Sequence, residues 1–198
     1  MKFKGCFLIL IVMTTLFKCP AQNSFREDIA AAVGVSSGAL VFGGETSKFF
    51  KPNNLLSLHG EVGYKNWFLS AMGSVAWSRS KNYIRDEFPW NTKGTYFMSW
   101  PRVSVGRDLF ESERWRLRPN LGFAVLKIEK FEDSVKQRIS EFSLVIGLAI
   151  DFRLKKLNSR PNKSQSMAIR LEPVVMPCKL DNRFTGAIIG IHLGMLFY

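Results

Sequence analysis

Apolar and polar residues alternate with a period of two from Asp28 to the end of the chain, in segments of about ten or more residues. Successive side chains of a β-strand point to opposite faces of the sheet, so this pattern indicates amphipathic strands rather than helices. The clearest segment runs from Glu141 to Leu154, and one of its faces is wholly apolar: Phe142, Leu144, Ile146, Leu148, Ile150, Phe152 and Leu154. A strand in a globular sheet is usually about half as long.

Eight alternating segments can be counted, with Gly, Asn, Pro and charged residues between them. They cover approximately residues 29–41, 56–65, 69–78, 102–109, 115–125, 141–154, 169–175 and 187–197. An even number of long strands, with one continuous apolar face, is typical of a closed antiparallel up-and-down barrel that has lipid outside. No apolar run approaches the roughly 18 residues that a membrane-spanning helix needs. A soluble periplasmic lipid-binding barrel, with its apolar face inward, gives the same alternation and remains an alternative.

The lengths of the connections favour the membrane interpretation. Alternate connections are long, at residues 43–54, 79–95, 129–139 and 176–183, whereas those at 65–67 and 111–113 are tight and only the basic connection at 157–165 is longer. Outer-membrane barrels have short periplasmic turns and longer extracellular loops. Aromatic residues also cluster towards both ends of the segments, as in the interfacial girdles of such barrels. We therefore predict an eight-stranded transmembrane barrel in the outer membrane.

Three prolines fall inside the predicted strands, namely Pro101, Pro119 and Pro173. Each lacks the N–H group that would donate to a neighbouring strand, and a closed barrel has no free edge to accommodate that loss. We expect these prolines to mark bulges or strand ends.

The first 22 residues have the layout of a secretory signal peptide. Lys2 and Lys4 precede the apolar stretch from Cys6 to Phe17, which is too short to span a membrane. Cleavage is expected after Ala21 or after Gln22, and the sequence does not decide between the two. The predicted domains are therefore a signal peptide at 1–22 and an outer-membrane barrel at 23–198.

The mature chain is basic and has one cysteine. The full chain has 28 Lys and Arg against 16 Asp and Glu, and removal of the three leader lysines leaves 25 against 16, or +9. Cys6 and Cys19 leave with the leader, so Cys178 has no partner for a disulfide or a cysteine metal site. The basic residues are spread over strands and turns, so we expect contacts with outer-membrane lipid and lipopolysaccharide phosphates, and no nucleic acid.

Charged residues of both signs share the polar face of the strands. The lumen of an eight-stranded barrel has room for little beyond side chains, and each buried charge needs a partner. We therefore predict that these residues pair inside the barrel as structural lumen charges, with Arg116 beside them: Glu61, Arg102, Arg118, Glu141, Asp151, Arg170 and Glu172.

A catalytic role has weak support. Ser57, His59 and Glu61 suggest an outer-membrane hydrolase that modifies lipid, but residues two apart on one strand point in parallel and do not converge on a reacting atom. No phosphate-binding loop, zinc-ligand set or nucleotide motif is present. We predict that the protein is not an enzyme and needs no cofactor or metal, with the lipid-modifying hydrolase kept as an alternative.

The longest connection is the best candidate for external contacts. Tyr83, Phe88 and Trp90 lie between residues 79 and 95, and exposed aromatic side chains on a loop can anchor a partner. We predict a structural or surface-interaction role carried by the long extracellular loops. The sequence does not identify the partner, the oligomeric state or whether the lumen conducts.

In its alternating strands and in the lengths of its connections, the chain from Asp28 to Tyr198 resembles the small eight-stranded outer-membrane barrels of the OmpX and OmpA transmembrane-domain type. Such proteins end on an aromatic residue that the barrel-assembly machinery recognises, and the segment from Gly190 to Tyr198 resembles that signal. The resemblance implies this machinery as a partner. The alternation places Phe197, and not Tyr198, in register with the lipid-facing residues, which departs from the family pattern.

Overall fold

The computed structural model describes residues 29–79, 95–112, 114–132, 135–154, 167–180 and 184–198. The predicted signal peptide lies outside these residues. No helix among them is long and apolar enough to cross a membrane. The described elements are ten strands and one 3-10 helix, Glu45–Lys48: β1 Ile29–Gly44, β2 Asn53–Tyr64, β3 Trp67–Arg79, β4 Thr95–Ser99, β5 Arg102–Arg107, β6 Phe110–Glu111, β7 Trp115–Glu132, β8 Val135–Arg153, β9 Met167–Leu180 and β10 Phe184–Phe197.

The strands form a closed antiparallel barrel with eight strand positions, or staves. Each stave pairs with its neighbours in the chain, and β1 closes the ring by pairing with β10 as well as with β2. β4 and β5 together make the fourth stave, because both pair with β3 on one side and with β7 on the other. The prediction of an eight-stranded up-and-down barrel is confirmed.

The register between the strands sets their tilt. Followed through paired residues once around the barrel, Ser143 of β8 leads back to Arg153 of the same strand, a displacement of ten residues. With ordinary strand spacing, eight staves with this displacement tilt by roughly 40° from the barrel axis. That tilt lies in the range found for outer-membrane barrels.

The apolar face of the strands points outward, as the membrane interpretation requires. Leu56, Ile146 and Leu193 are 55 to 59% exposed, although all three are large apolar residues. Their neighbours in sequence point into the lumen, where Ser57 and Val145 are almost fully buried. A soluble barrel with an apolar interior along its whole length would have the opposite arrangement.

The interior is divided into two parts along the barrel. The loop end of the barrel is where β1 connects to β2 and β7 to β8, and the turn end is where β2 connects to β3. Polar and charged side chains fill the lumen from the middle to the turn end. At the loop end the buried side chains are mainly apolar, although Asn53, Ser78 and Lys130 are buried there as well. The apolar ones form one cluster that includes Leu40, Phe42, Leu55, Met98, Trp100, Leu126, Ile128, Val145, Met176, Leu180 and Ile188.

The segment after the 3-10 helix completes this apolar cluster, and the cluster is called the apolar cap below. Phe49 and Phe50 are 5% exposed or less, and their rings lie 4.8 Å from those of Phe184 and Phe42. Several outward positions at this level are polar, as Lys179 on β9 illustrates, although Trp77 on β3 is 63% exposed. Above the lipid the surroundings are water, so the strands return to the soluble arrangement of apolar inside and polar outside.

Two of the long loops predicted at the loop end are largely strand in the structure. The predicted loop at 129–139 is mostly strand, because β7 continues to Glu132 and β8 begins at Val135. The predicted loop at 176–183 is also largely strand, because β9 continues to Leu180. The prediction of these two long loops was therefore wrong. At the turn end, Lys65 has a φ of 54°, and the predicted tight turn at 111–113 is preceded by the short strand β6, which pairs with β7.

Each of the three prolines lies at an interruption of the strand pairing on one of its sides. Pro101 separates β4 from β5, so it marks a strand end as expected. Beside Pro173, the pairing of β8 with β9 is interrupted between Gly147 and Ile150 and then resumes in the same register. Pro119 stays inside β7, opposite Leu148 of β8, and on its other side the register shifts by one residue, since Gly106 pairs with Asn120 but Phe110 pairs with Leu117, which marks a bulge as expected.

Glycines on β1 and β10 leave room for large inward side chains, which come from across the lumen in the case of Trp100 and from the paired strand β2 in the case of His59. A Cβ atom placed on Gly190 would lie 2.8 Å from both the Trp100 ring and the Val174 side chain. A Cβ atom placed on Gly34 would lie 2.3 Å from Nε2 of His59. The small face of the last strand therefore receives side chains from across the lumen.

We expect Gly190→Leu to lower the free energy of unfolding by about 1–3 kcal/mol, because the added side chain overpacks the space held by Trp100. Urea unfolding of the refolded barrel in detergent micelles measures this loss. Gly60→Leu is the matched control, because a Cβ atom there meets nothing within 4 Å. Equal effects of the two substitutions would show that Trp100 does not pack against β10.

Candidate functional site

Four charged side chains from four strands form an ionic cluster in the lumen: Glu61, Arg118, Asp151 and Arg170. Arg170 donates from Nε and Nη2 to the two Asp151 oxygens, at 2.6 and 2.8 Å, and from Nη1 to Oε2 of Glu61 at 2.9 Å. Arg118 donates to Oε1 of Glu61 and lies 3.4 Å from Oδ2 of Asp151. All four residues are 5% exposed or less, so each charge is balanced inside the protein.

The cluster extends towards the turn end through residues that the sequence prediction did not include. Nε of Arg118 donates to Oδ1 of Asp108 at 2.6 Å, and its guanidinium lies 3.8 Å from the centre of the Phe68 ring. The Tyr198 hydroxyl donates to Oδ2 of Asp151 at 3.2 Å. Asp108 ends a strand segment in the alternation pattern, and nothing in the sequence marks it as a partner of Arg118.

Arg116 continues the chain of charges to the surface of the turn end. Its Nη2 donates to Oε1 of Glu111 at 3.0 Å, and Arg153 donates to the same oxygen. Partial burial would raise the pKa of Glu111, but these two hydrogen bonds outweigh it and hold the pKa below its usual value. A polar cavity of about 280 Å³ opens here, lined in part by Arg116 and Tyr198.

A second ion pair lies nearer the middle of the barrel. Nη2 of Arg102 donates to Oε1 of Glu172 at 2.7 Å, and the Asn120 side chain donates to the same oxygen at 3.1 Å. Both charged residues are 4% exposed or less. This pair lies between the ionic cluster and the apolar cap.

The middle layer also contains polar side chains whose hydrogen bonds are incomplete within the described residues. Ser57 contacts the Ser74 hydroxyl at 2.7 Å and Nδ1 of His192 at 3.3 Å. Neither ring nitrogen of His59, nor Nε2 of His192, has a hydrogen-bond partner in the described part of the protein. Buried polar atoms of this kind commonly bind internal water.

Six of the seven predicted lumen charges are therefore buried inside the barrel, and the seventh, Glu141, is not part of their network. Oε1 of Glu141 instead accepts a hydrogen bond from the backbone N–H of Lys179 at 3.2 Å. The described pairing of β8 with β9 ends at Ile146 and Val175, so the carboxylate takes the place of a missing ladder bond. Alternation places Glu141 on the inward face, but its position at the loop end removes it from the other charges.

The residues considered for hydrolysis do not form a catalytic arrangement. Ser57 meets His192 rather than His59, and both Ser57 and His192 are 1% exposed. Glu61 is engaged by Arg118 and Arg170. The structure therefore places Ser57 and His192 in the interior of the barrel. Within the described residues, no three His, Cys, Asp or Glu side chains gather where they could hold a metal ion.

The two terminal aromatic residues point in opposite directions. Phe197 is 47% exposed on the outward face, whereas Tyr198 turns towards Asp151 in the lumen. The outward terminal aromatic is therefore Phe197, as the alternation indicated. The predicted loop contacts Tyr83, Phe88 and Trp90 lie outside the described residues.

Exposed basic residues surround the loop end of the barrel. Lys48, Lys51, Arg79, Arg138 and Lys179 are all exposed there. An exposed acidic residue at the same end, Glu45, accepts a hydrogen bond from the Thr185 backbone at 3.2 Å. The described part of the loop end therefore has an excess of positive charge.

No family model and no curated protein matches the sequence. Several solved structures, however, match the fold of this chain. Neisserial surface protein A (NspA) is 8% identical, with a TM-score of 0.57 over 86% of this chain and 98% of that chain. Ail of Yersinia pestis, in complex with the heparin analogue sucrose octasulfate, is 15% identical, with a TM-score of 0.50 over 84% of this chain and 97% of that chain.

A third structure is that of the Yersinia pestis outer membrane protein Ail in a phospholipid bilayer nanodisc, which is 22% identical over 85% of this chain and 100% of that chain, with a TM-score of 0.41. At these identities, the first two comparisons show a shared fold. The chain has the fold of small eight-stranded outer-membrane barrels, and these neighbours agree with the predicted outer-membrane localisation.

Proposed function

We propose that this protein is a non-enzymatic outer-membrane barrel whose loop end binds anionic groups of surface polysaccharide or lipopolysaccharide. The observation that carries the proposal is the excess of exposed basic residues around a barrel end whose lumen is filled. A filled lumen leaves the external surface as the place where the protein meets its partners. The predicted leader at 1–22 and recognition of the C-terminal strand by the barrel-assembly machinery belong to the same proposal.

The interior argues for a structural role of the lumen. The charges of the ionic cluster balance one another, and the apolar cap lies between them and the loop end. The lumen as a whole therefore offers no continuous polar path. A transported solute would have to displace packed side chains. This arrangement supports a surface role over a transport role.

The arrangement of charges supports a polyanion as the partner. Exposed Lys and Arg on one end attract phosphate and sulfate groups over a distance of about 10 Å at ordinary salt concentrations. Ail was solved with sucrose octasulfate bound, and we extend to this chain the proposal of a partner with the same kind of charge. Tyr83, Phe88 and Trp90 remain proposed loop contacts beside the basic residues.

We expect the triple variant Lys51→Glu, Arg79→Glu, Lys179→Glu to bind heparin at least about tenfold more weakly than the original protein at 0.1 M salt. Each reversed charge should remove about 0.5 kcal/mol or more of favourable interaction, and three such losses amount to about tenfold in affinity. Isothermal titration of the refolded barrel in detergent micelles measures the affinity, which should also fall as salt is raised.

The matched control reverses two exposed basic residues at the turn end, with Lys65→Glu and Arg107→Glu. This variant lowers the net charge by four units, against six for the triple variant, and leaves the loop end unchanged, so its heparin affinity should stay within about twofold of the original. An equal loss in both variants would show that net charge alone drives binding, and the proposal would then be wrong.

A further inference from the structure

We propose that a groove on the outward face of the barrel, beside Pro101, binds a lipid chain that carries a hydroxyl or amide hydrogen-bond donor near its head group. The inference rests on the proposed location of the outward face in a membrane. It concerns the barrel wall and is independent of the basic residues at the loop end.

The groove has a volume of about 590 Å³ and an apolar lining. Small residues form its floor, because Gly60, Ala71 and Gly73 lie side by side on β2 and β3. A Cβ atom placed on Gly60 or Gly73 would meet nothing within 4 Å. Phe123 and Phe142, whose rings stack at 5.3 Å, border the groove on the side of β7 and β8.

One backbone acceptor in the groove has no partner in the barrel ladder. Trp100 exchanges both of its backbone hydrogen bonds with Ser74 of β3, at 2.8 and 3.3 Å. Alternate residues of an antiparallel strand bond to opposite neighbours, so Pro101 faces β7. The Val125 N–H donates to the Pro101 carbonyl at 3.0 Å. The reciprocal bond to the Val125 carbonyl cannot form, because proline has no N–H group.

The surroundings of this carbonyl make a partner necessary. Pro101 and Val125 both line the groove, and within hydrocarbon no water is present to satisfy an unpaired backbone group. Lys127, two residues nearer the loop end on the same face, is the first charged residue above Val125. The carbonyl therefore lies roughly 7 Å along the strand from a side chain that can extend to the head groups.

An acceptor at this depth selects the occupant by its chemistry. A saturated acyl chain fits the apolar walls but offers no donor to the Val125 carbonyl. A chain with a hydroxyl group or an amide N–H a few atoms from its head group offers both an apolar body and the missing donor. Such hydroxyacyl or amide-linked lipids are therefore the class of ligand that the groove fits.

The test compares methyl 3-hydroxytetradecanoate, methyl tetradecanoate and N-methyltetradecanamide, which are all uncharged and so do not respond to the basic residues. Each is titrated into the refolded, full-length mature barrel in detergent micelles, and binding is followed by the carbonyl ¹³C chemical shift of Val125. We expect at least one donor-bearing chain to bind about fivefold more tightly than the simple ester, which corresponds to one added hydrogen bond. The amide and the hydroxy ester distinguish the two possible donors.

Pro101→Ala restores the missing N–H group, so it should abolish this preference while leaving the groove open. Pro119→Ala is the matched control, because it makes the same substitution in β7 away from the groove lining. Gly73→Leu fills the groove and should weaken the binding of all three chains equally. Each variant is first checked for the gel-migration shift on boiling that marks a folded barrel.

Equal binding of the three chains to the original protein, or an unchanged preference in Pro101→Ala, would overturn the inference. A shift of Val125 that depends on protein concentration and not on the added chain would point to a second copy of the barrel as the occupant, and would also overturn it. Failure of the protein to fractionate with outer membranes would instead count against the proposed function.

Discussion

Arg170→Met is expected to lower the free energy of unfolding by about 3–5 kcal/mol, because it leaves Asp151 and Glu61 as buried negative charges without their main partner. Three of the hydrogen bonds in the ionic cluster come from this one guanidinium, and its residue is 4% exposed. Urea unfolding in detergent micelles, followed by tryptophan fluorescence, measures the change. Arg170→Lys should lose less, because the positive charge remains although the paired contact with Asp151 does not.

Arg138→Met provides the control for the loss of an arginine. Arg138 lies 3.8 Å from Glu129 on the outside of the barrel, and its side chain is 49% exposed. Exposed ion pairs contribute about 1 kcal/mol at most, so this variant should unfold close to the original midpoint. If Arg170→Met and Arg138→Met had the same effect, the ionic cluster would not stabilise the barrel.

Ile146→Arg is expected to cost about 2–4 kcal/mol in phospholipid vesicles, because it places a charge in the middle of the lipid-facing band. Ile146 is 55% exposed, so the larger side chain meets no steric obstacle. In a soluble barrel, the same substitution at a half-exposed position would be nearly neutral. Equilibrium unfolding in vesicles therefore tests directly whether lipid covers this face.

Phe110→Arg is the corresponding control. Phe110 is 56% exposed but belongs to the short strand β6, which pairs with β7 at the turn-end border of the outward band. This variant should change the free energy of unfolding by less than about 1 kcal/mol. Comparable losses at residues 110 and 146 would contradict the assignment of the band.

The membrane-facing half of the barrel could be predicted from sequence because lipid and lumen impose opposite demands on neighbouring residues. Leu144 and Ile146 face outward, while Asp151 further along β8 faces a lumen filled with charges. Alternation records this contrast directly. The same contrast correctly placed Phe197 outward and Tyr198 on the other face.

The loop-end half could not be predicted in this way, because the sign of the alternation reverses along single strands. On β7, Val125 faces the groove in the outer wall, whereas Leu126 and Ile128 are fully buried in the apolar cap and Lys127 points outward. Both faces are therefore apolar where the reversal occurs, and the charged positions beyond it resemble a loop. The predicted connection at 129–139 ended the strands too early for this reason.

The sequence also could not predict which individual charges pair with each other. Arg118 and Glu61 are 57 residues apart, and only the register of the closed barrel brings them into contact. A prediction of mutual pairing on one face does not choose between Glu61, Asp108 and Asp151 as the partner of Arg118. That choice depends on the displacement of ten residues around the ring, which alternation does not encode.

The apolar cap gives the barrel an electrical property. Leu40, Leu126 and Ile188 have no solvent exposure at all, and they belong to the one packed cluster that fills the loop end of the lumen. An ion that left water to pass among these three side chains would lose its hydration shell, at a cost of tens of kcal/mol in a medium of low dielectric constant. Despite its tubular shape, the protein should therefore be an insulator, and the voltage between the two sides of its membrane would drop across this cluster.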